Sequence, residues 1–324
     1  MHGMQRGSLV TVAVVAIVIA LVPWFVPSFL AFELTYAGAY AIAILGLVVL
    51  TGFNGQISLG HGAFMAIGGY AIAIAAQNAG LPPELSIFLA AVLSALIGAL
   101  VGLVALRLAG AYLALATFAL AVAVPPLIKR FGSITGGSQG ITLPAAHPPA
   151  ALAHVFNGER WLYLETWLLV GVLFALTWFV LRGRVGRALR ALRDNEIAAV
   201  SFGINPVRFK SLAFAWSAAY AGIAGALIAV ATAYVSPDTY SLQLSLALVI
   251  GVVLGGLDTL WGAMIGGFVV EFLPLWAQTI NTAASSLIYG IALILVMVLM
   301  PGGVAGAIAR GIRSLTRPQR EGTP

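Results

Sequence analysis

One carboxylate, Glu271, stands near the middle of the apolar stretch 262–281. Such a group is costly in hydrocarbon, so it either carries a proton or cation or hydrogen-bonds one helix to another. His61, set between Gly60 and Gly62, offers a similar choice: a proton sensor, with an unperturbed pKa of about 6.5, or a packed neutral ring. Asn54, Gln56 and Ser58 precede it in the same stretch, and these four with Glu271 are the candidate lining of a path for a polar solute. His147 and His154 lack metal-ligand spacing and companions, and His2 lies near the N-terminus, so no metal site is expected. No serine sits in a nucleophile elbow and no aspartates are paired along an apolar run, which leaves no catalytic constellation. Gly203 to Ser211 imitates a phosphate-binding loop, yet Phe209 precedes Lys210 where that motif requires glycine. If ATP drives this chain, another chain hydrolyses it.

The elements that must hold these groups are membrane helices. Of 324 residues, 61% are hydrophobic and 8% charged, whereas about a quarter of a soluble domain is charged. The expected fold class is all-α, a polytopic integral membrane protein. Cysteine is absent, which removes disulfides, thiolate metal sites and a cysteine nucleophile. Apolar runs at about 9–30, 34–51, 61–77, 86–106, 111–128, 162–181, 211–234, 242–256, 262–281 and 286–301 give about ten spans. Runs 242–256 and 262–281 are short and glycine-broken, and as re-entrant segments they would leave eight. The first run follows Arg6 and carries Pro23 and Pro27; its length and the lack of a small-x-small site make it a span rather than a leader.

Eleven of the sixteen basic residues lie in the central segment 182–210 or in the tail from Arg310 to Arg320. The net charge of +6 therefore reflects membrane topology and not nucleic-acid binding. With both clusters cytoplasmic, both termini and Arg107 are inside, while Glu33, Glu84 and Asp238 fall outside. An outer loop, 129–160, holds Lys129, Arg130 and Arg160; residues 306–324 form a cytoplasmic tail on a single membrane domain, 1–324. Within 182–210, a helix from Arg184 to Val200 gathers Val185, Ala188, Leu189, Leu192, Ala199 and Val200 on one stripe, with Arg184, Arg187, Arg190 and Arg193 opposite. Gly203 ends it, and Asn205 with Pro206 caps and starts the next helix. Glu196 falls inside the apolar stripe, so the stripe is expected to dock on a partner protein, with Glu196 paired to Arg193 or to the partner. An amphipathic helix resting on membrane lipid explains the arginines but not Glu196.

Gly52 to Tyr70 reads GFNGQISLGHGAFMAIGGY, with six glycines. That composition predicts a broken helix whose irregular backbone is buried in protein or lines a cavity, with free N–H groups where the helix restarts after Ser58. A weaker echo runs from Gly256 to Gly267 and hints at a repeat. Gly98 and Gly102, Gly251 and Gly255, and Gly262 and Gly266 have the spacing of close helix crossings within one subunit.

Three motifs carry a family likeness. The first is Gly55-Gln56-Ile57-Ser58-Leu59-Gly60-His61-Gly62-Ala63-Phe64 with Gly68 to Tyr70; the second runs from Leu106-Arg107 through Gly110 to Thr117 and ends at Thr135 to Ile141. The third is Gly186 to Ala199 with Gly203-Ile204-Asn205. Together they resemble the permease subunits of ATP-binding-cassette importers for branched-chain amino acids, and the middle motif favours the M-type of the two paired permeases. The resemblance implies a second, H-type permease, two cytoplasmic ATPase subunits that bind the ATP, and a periplasmic or lipid-anchored substrate-binding protein, in a bacterial or archaeal cytoplasmic membrane. It also implies that Arg187, Arg190, Arg193, Asp194, Asn195, Glu196, Ala198, Ala199 and Gly203 form the ATPase-coupling segment. No cofactor is expected in this chain. Members often carry a charge in the fifth span, and none occurs from Thr117 to Pro126 here, which leaves the lining of the path open. Similar permeases serve urea or short amides, and an ion-coupled carrier built on Glu271 is the alternative from another class.

Overall fold

The computed structural model describes residues 19–106, 108, 110–148, 154 and 156–280, with 287, 290–291, 293–295, 298 and 303–307 beyond them. Residues 9–18 of the expected span 9–30, more than half of 286–301, nearly all of the tail, Arg6 and Arg107 lie outside the described residues. The helices in chain order are α1 (Ser28–Leu47), prolonged by a π-helical turn (Val48–Phe53), α2 (His61–Ala79), α3 (Pro83–Ala105), α4 (Ala111–Arg130) and the single-turn α5 (Gly132–Thr135). They continue as α6 (Gly158–Arg182), α7 (Arg184–Asp194), α8 (Glu196–Ser201), α9 (Pro206–Thr232), α10 (Leu242–Gly255) and α11 (Leu260–Ile280). A two-residue ladder, β1 (Ile141–Thr142) antiparallel to β2 (Tyr234–Val235), ties the expected outer loop to the end of α9.

Six described helices are long and apolar enough to cross a membrane: α1 with its π turn, α3, α4, α6, α9 and α11. The ten runs read from hydropathy include two that fall partly outside the described residues, and an apolar run need not be a full-length helix. At 14 residues α10 is about 21 Å long, short of a hydrocarbon core of about 30 Å. It is the half-length element of the pair, whereas α11 has 21 residues. Glu33, expected in an outer connection, is instead buried inside α1, because that helix already begins at Ser28.

Helices α1, α2 and α9 form the buried centre, and α3, α4 and α6 present apolar faces outward. Missing side chains set the crossings. A Cβ at Gly68 would strike the Gly222 carbonyl and one at Gly225 the Met65 carbonyl, so α2 and α9 touch backbone to backbone. Gly98 and Gly102 let α3 lie on Ala218, Phe214 and Ser211 of α9, and Gly255 and Gly266 seat α10 against α11. The glycine pairs thus pack helices within this chain, as their spacing predicts. Gly68→Leu is expected to lower stability by about 1–3 kcal/mol through overpacking, read as a drop in the melting temperature of the detergent-solubilised protein. An unchanged melting temperature would show that the α2–α9 crossing yields easily.

Candidate functional site

At the end of the bundle where α6 gives way to α7, one side chain joins three elements. Arg193, in the last turn of α7, donates from Nη1 to the carbonyl of Gly52 at the close of the π turn and to Asp258 at 2.9 Å in the α10–α11 turn. Its Nε reaches Asp194 at 3.1 Å. The Asp194 hydrogen bond is the largest influence holding the guanidinium charged, with its pKa pushed further up, and Asp258 adds to it. Two glycines make the joint fit. Gly52 has no side chain where the Leu257 carbonyl passes, and Gly55, with φ of +74°, lies against the stem of Arg193. The two glycine-rich stretches suspected of repeating each other therefore meet here, whatever their origin.

Beyond Arg193 the expected continuous helix breaks. Asn195 turns extended, with φ of −157° and ψ of 104°, and its side chain accepts from the Ala198 N–H at 2.9 Å, so it ends α7 and caps α8. Continuity to Val200 was expected from apolar spacing, and the cap overrides it by offering the backbone a local partner. The break alters two expectations. The stripe on α7 is buried on the chain's own body: Leu189 packs with Val49, Leu50, Ala105, Leu113, Leu181, Ala213 and Phe214. Glu196, now the first residue of α8, pairs with Lys210 at 2.7 Å rather than with Arg193. Arg190 also turns inward, bonding the carbonyls of Gly186 and Leu181 and lying over the Phe53 ring.

Beside the exposed Glu196 and Ser201, α8 and its turn leave large apolar side chains free. Ile197 is 82% exposed, Val200 48%, Phe202 87% and Val207 45%, a group gathered around the turn from α8 to α9. Gly203 makes that turn with φ of +81° and nothing within 4 Å of its Cβ position, so its role is conformational. Asn205 accepts from the Arg208 N–H and Pro206 opens α9, as their types predict. Ala199 is buried under α8, while Ala198 faces out.

Asn54, Gln56, Ser58 and His61 lie on one irregular strand of backbone that climbs from the Arg193 joint into the bundle. It ends where α2 starts, at the depth of Ser217 of α9, and α10 begins at the same level. The N–H groups freed by the break are capped by hydroxyls: Leu59 by Thr117 at 2.9 Å, Gly60 by Ser58 at 3.3 Å and Gly62 by Ser245 at 2.9 Å. Asn54 donates to Gln56, and His61 Nε2 shares a proton with Ser217 across 2.7 Å. All four side chains are buried. Glu271 is elsewhere. Gly267 brings α11 onto Ala37 and Ala41 of α1, and one turn further Glu271 lies near Glu33.

Residues 29–297 match the family described as the branched-chain amino acid transport system permease component. The LivM high-affinity branched-chain amino acid transport permease of Salmonella typhimurium is 33% identical over 304 residues, covering 86% of this chain and 69% of LivM. The chain belongs to this permease family. LivM of Escherichia coli is 32% identical over the same shares, and LivH of Escherichia coli is 27% identical over 289 residues, covering 84% of this chain and 92% of LivH. The higher identity to LivM places this permease with the M-type. No solved structure matches it. As a family member with six helices fit for crossing, the permease is a multi-pass membrane protein and a transport subunit.

Within this permease the structure collects Arg193, Asp194 and Asn195 at one joint and sets Glu196, Ala198, Ala199 and Gly203 just beyond it. Arg187 stays on the outward face of α7. At the opposite end a cavity of about 590 Å³ opens among Thr35, His147, Asn157, Glu159 and Val230. Sequence reasoning missed Asp258, Lys210, Ile197 and Phe202. The last two carried a signal, apolar residues just before Gly203 in a charged segment, but a single helical wheel scattered them.

Proposed function

We propose that this chain is the M-type permease of an ATP-binding-cassette importer for branched-chain amino acids, with the α7–α8 segment on the cytoplasmic side and both termini there as well. The observation that carries this reading is the apolar group Ile197, Val200, Phe202 and Val207, held outward on a segment whose own stripe is already buried. A group of this kind at the core of an interface fits a groove on another protein. Since the sequence has no phosphate-binding loop, a pair of separate ATPases is the partner it fits. The similarity to LivM and LivH supports an H-type permease beside this one, and the proposed assembly is completed by a soluble binding protein outside.

When the ATPases close, their movement reaches the bundle through Arg193 and enters the irregular backbone at Gly52. That backbone ends at Ser58 and His61, where the starts of α2 and α10 meet inside the bundle, so these residues are best placed to border the path. Glu271, with Glu33 beside it, serves as a link between α1 and α11. The substrate is assigned as a branched-chain or related hydrophobic amino acid on the names of the relatives.

Glu196→Ala or Gly203→Pro should uncouple ATP hydrolysis from uptake while the membrane assembly stays intact. The Glu196–Lys210 pair is partly exposed, so its loss should cost the fold under about 1 kcal/mol. Uptake and hydrolysis measured together in proteoliposomes check this, and full transport in both variants would sink it.

A further inference from the structure

We propose that the corner where α6 becomes α7 binds the headgroup of an anionic phospholipid, and that Arg182, Arg184 and Arg187 hold its phosphate. The inference rests on the membrane nature of the chain and not on any ATPase partner.

The last turns of α6 face outward with Leu176, Trp178 and Phe179, which are 49%, 44% and 74% exposed. On a membrane helix this wall meets acyl chains. The Arg182 guanidinium lies over the Trp178 ring, 3.8 Å from its centroid, and such a pair marks the level of the headgroups because each side chain has an apolar body and a polar end. Immediately after it the chain turns at Gly183 and α7 begins. Arg187 reaches back to the Arg182 carbonyl at 3.4 Å, and Arg182, Arg184 and Arg187 are all exposed within six residues of this corner.

No carboxylate among the described residues pairs with these three. The acids on this side are engaged elsewhere: Asp194 and Asp258 with Arg193, and Glu196 with Lys210. Three exposed arginines within six residues, with no carboxylate paired to them among the described residues, attract an anion, and a phosphate suits their forked donors. The apolar wall directly beside the patch decides the source. A diacyl lipid fills both parts at once, whereas free phosphate uses only the arginines. A protein partner is better served by Ile197 and Phe202, which lie beyond the break at Asn195.

The test is lipid retention by the full-length chain in detergent, followed by native mass spectrometry with phosphatidylglycerol and phosphatidylcholine supplied equally. Phosphatidylglycerol should be retained preferentially, and R182Q, R184Q and R187Q should each lower its retention about fivefold, the size expected of one arginine at an anionic lipid surface. Trp178→Ala, which leaves the charges in place, should weaken retention too. Inorganic phosphate at the same concentration should not compete. Equal retention of the two lipids, retention unaffected by the substitutions, competition by inorganic phosphate, or displacement of the lipid by added ATPase subunits would each overturn the proposal.

Discussion

Aspartate at both Ile197 and Phe202 strips the ATPase subunits from the importer. Both side chains are more than four-fifths exposed, at 82% and 87%, so replacing them touches no packing in this chain and should move its stability by no more than about 0.5 kcal/mol. At an interface the same residues behave differently. Central aromatic and aliphatic anchors typically cost about 2 kcal/mol or more when truncated, and a carboxylate in an apolar groove also has to be desolvated without a partner. Two such changes should weaken ATPase binding by about 100-fold or more. Co-purification of the ATPases on the tagged permease measures it, and undiminished recovery from a correctly folded double variant would place the docking surface elsewhere.

Arg193→Ala should act in the opposite way, leaving the ATPases bound and hydrolysing while uptake falls by about tenfold. Its ion pairs are at the surface, with the Arg193 side chain 34% and the Asp258 side chain 79% exposed, so their loss is worth little to the fold. Their importance lies in connectivity. Among the described residues this is the side chain that ties α7 both to the π turn of α1 and to the α10–α11 turn. Without it the docked segment can shift without dragging Gly52. Asp258→Asn keeps the Gly52 bond and should lose less, and the double variant should be no worse than Arg193→Ala alone, since coupled residues fail additivity. Because Arg193 remains charged at any ordinary pH, the ratio of uptake to hydrolysis should not vary with pH through this group. That ratio, in proteoliposomes, is the readout; a ratio unchanged in Arg193→Ala would remove the joint from the transmission route.

Local chemistry was legible in the sequence. Gly203, Asn205 and Pro206 do what their types require, and glycines four apart mark the crossings that the structure uses. The broken helix from Gly52 was legible too, since six glycines and a cluster of polar groups suit neither lipid contact nor a regular helix. Its interior was not. Whether freed N–H groups line a cavity or are capped depends on Thr117 and Ser245, and they arrive from 58 and 183 residues away. The same limit hid the partners of Glu196 and Arg193, which lie 14 and 65 residues distant. At Asn195 two local rules competed: apolar spacing favoured one helix, and the cap it forms with Ala198 divided it. The short run 242–256 was legible as well, since α10 covers Leu242–Gly255.

The central claim, that ATPases working through α8 drive this permease, is tested most directly by leucine uptake into proteoliposomes. Vesicles would hold this chain, its H-type partner, the two ATPases and the binding protein, and parallel vesicles this chain alone. Uptake should require ATP and the complete set, and should vanish with the aspartates at Ile197 and Phe202. Uptake by this chain alone under a pH gradient, abolished by Glu271→Gln, would contradict the account and make the protein an ion-coupled carrier.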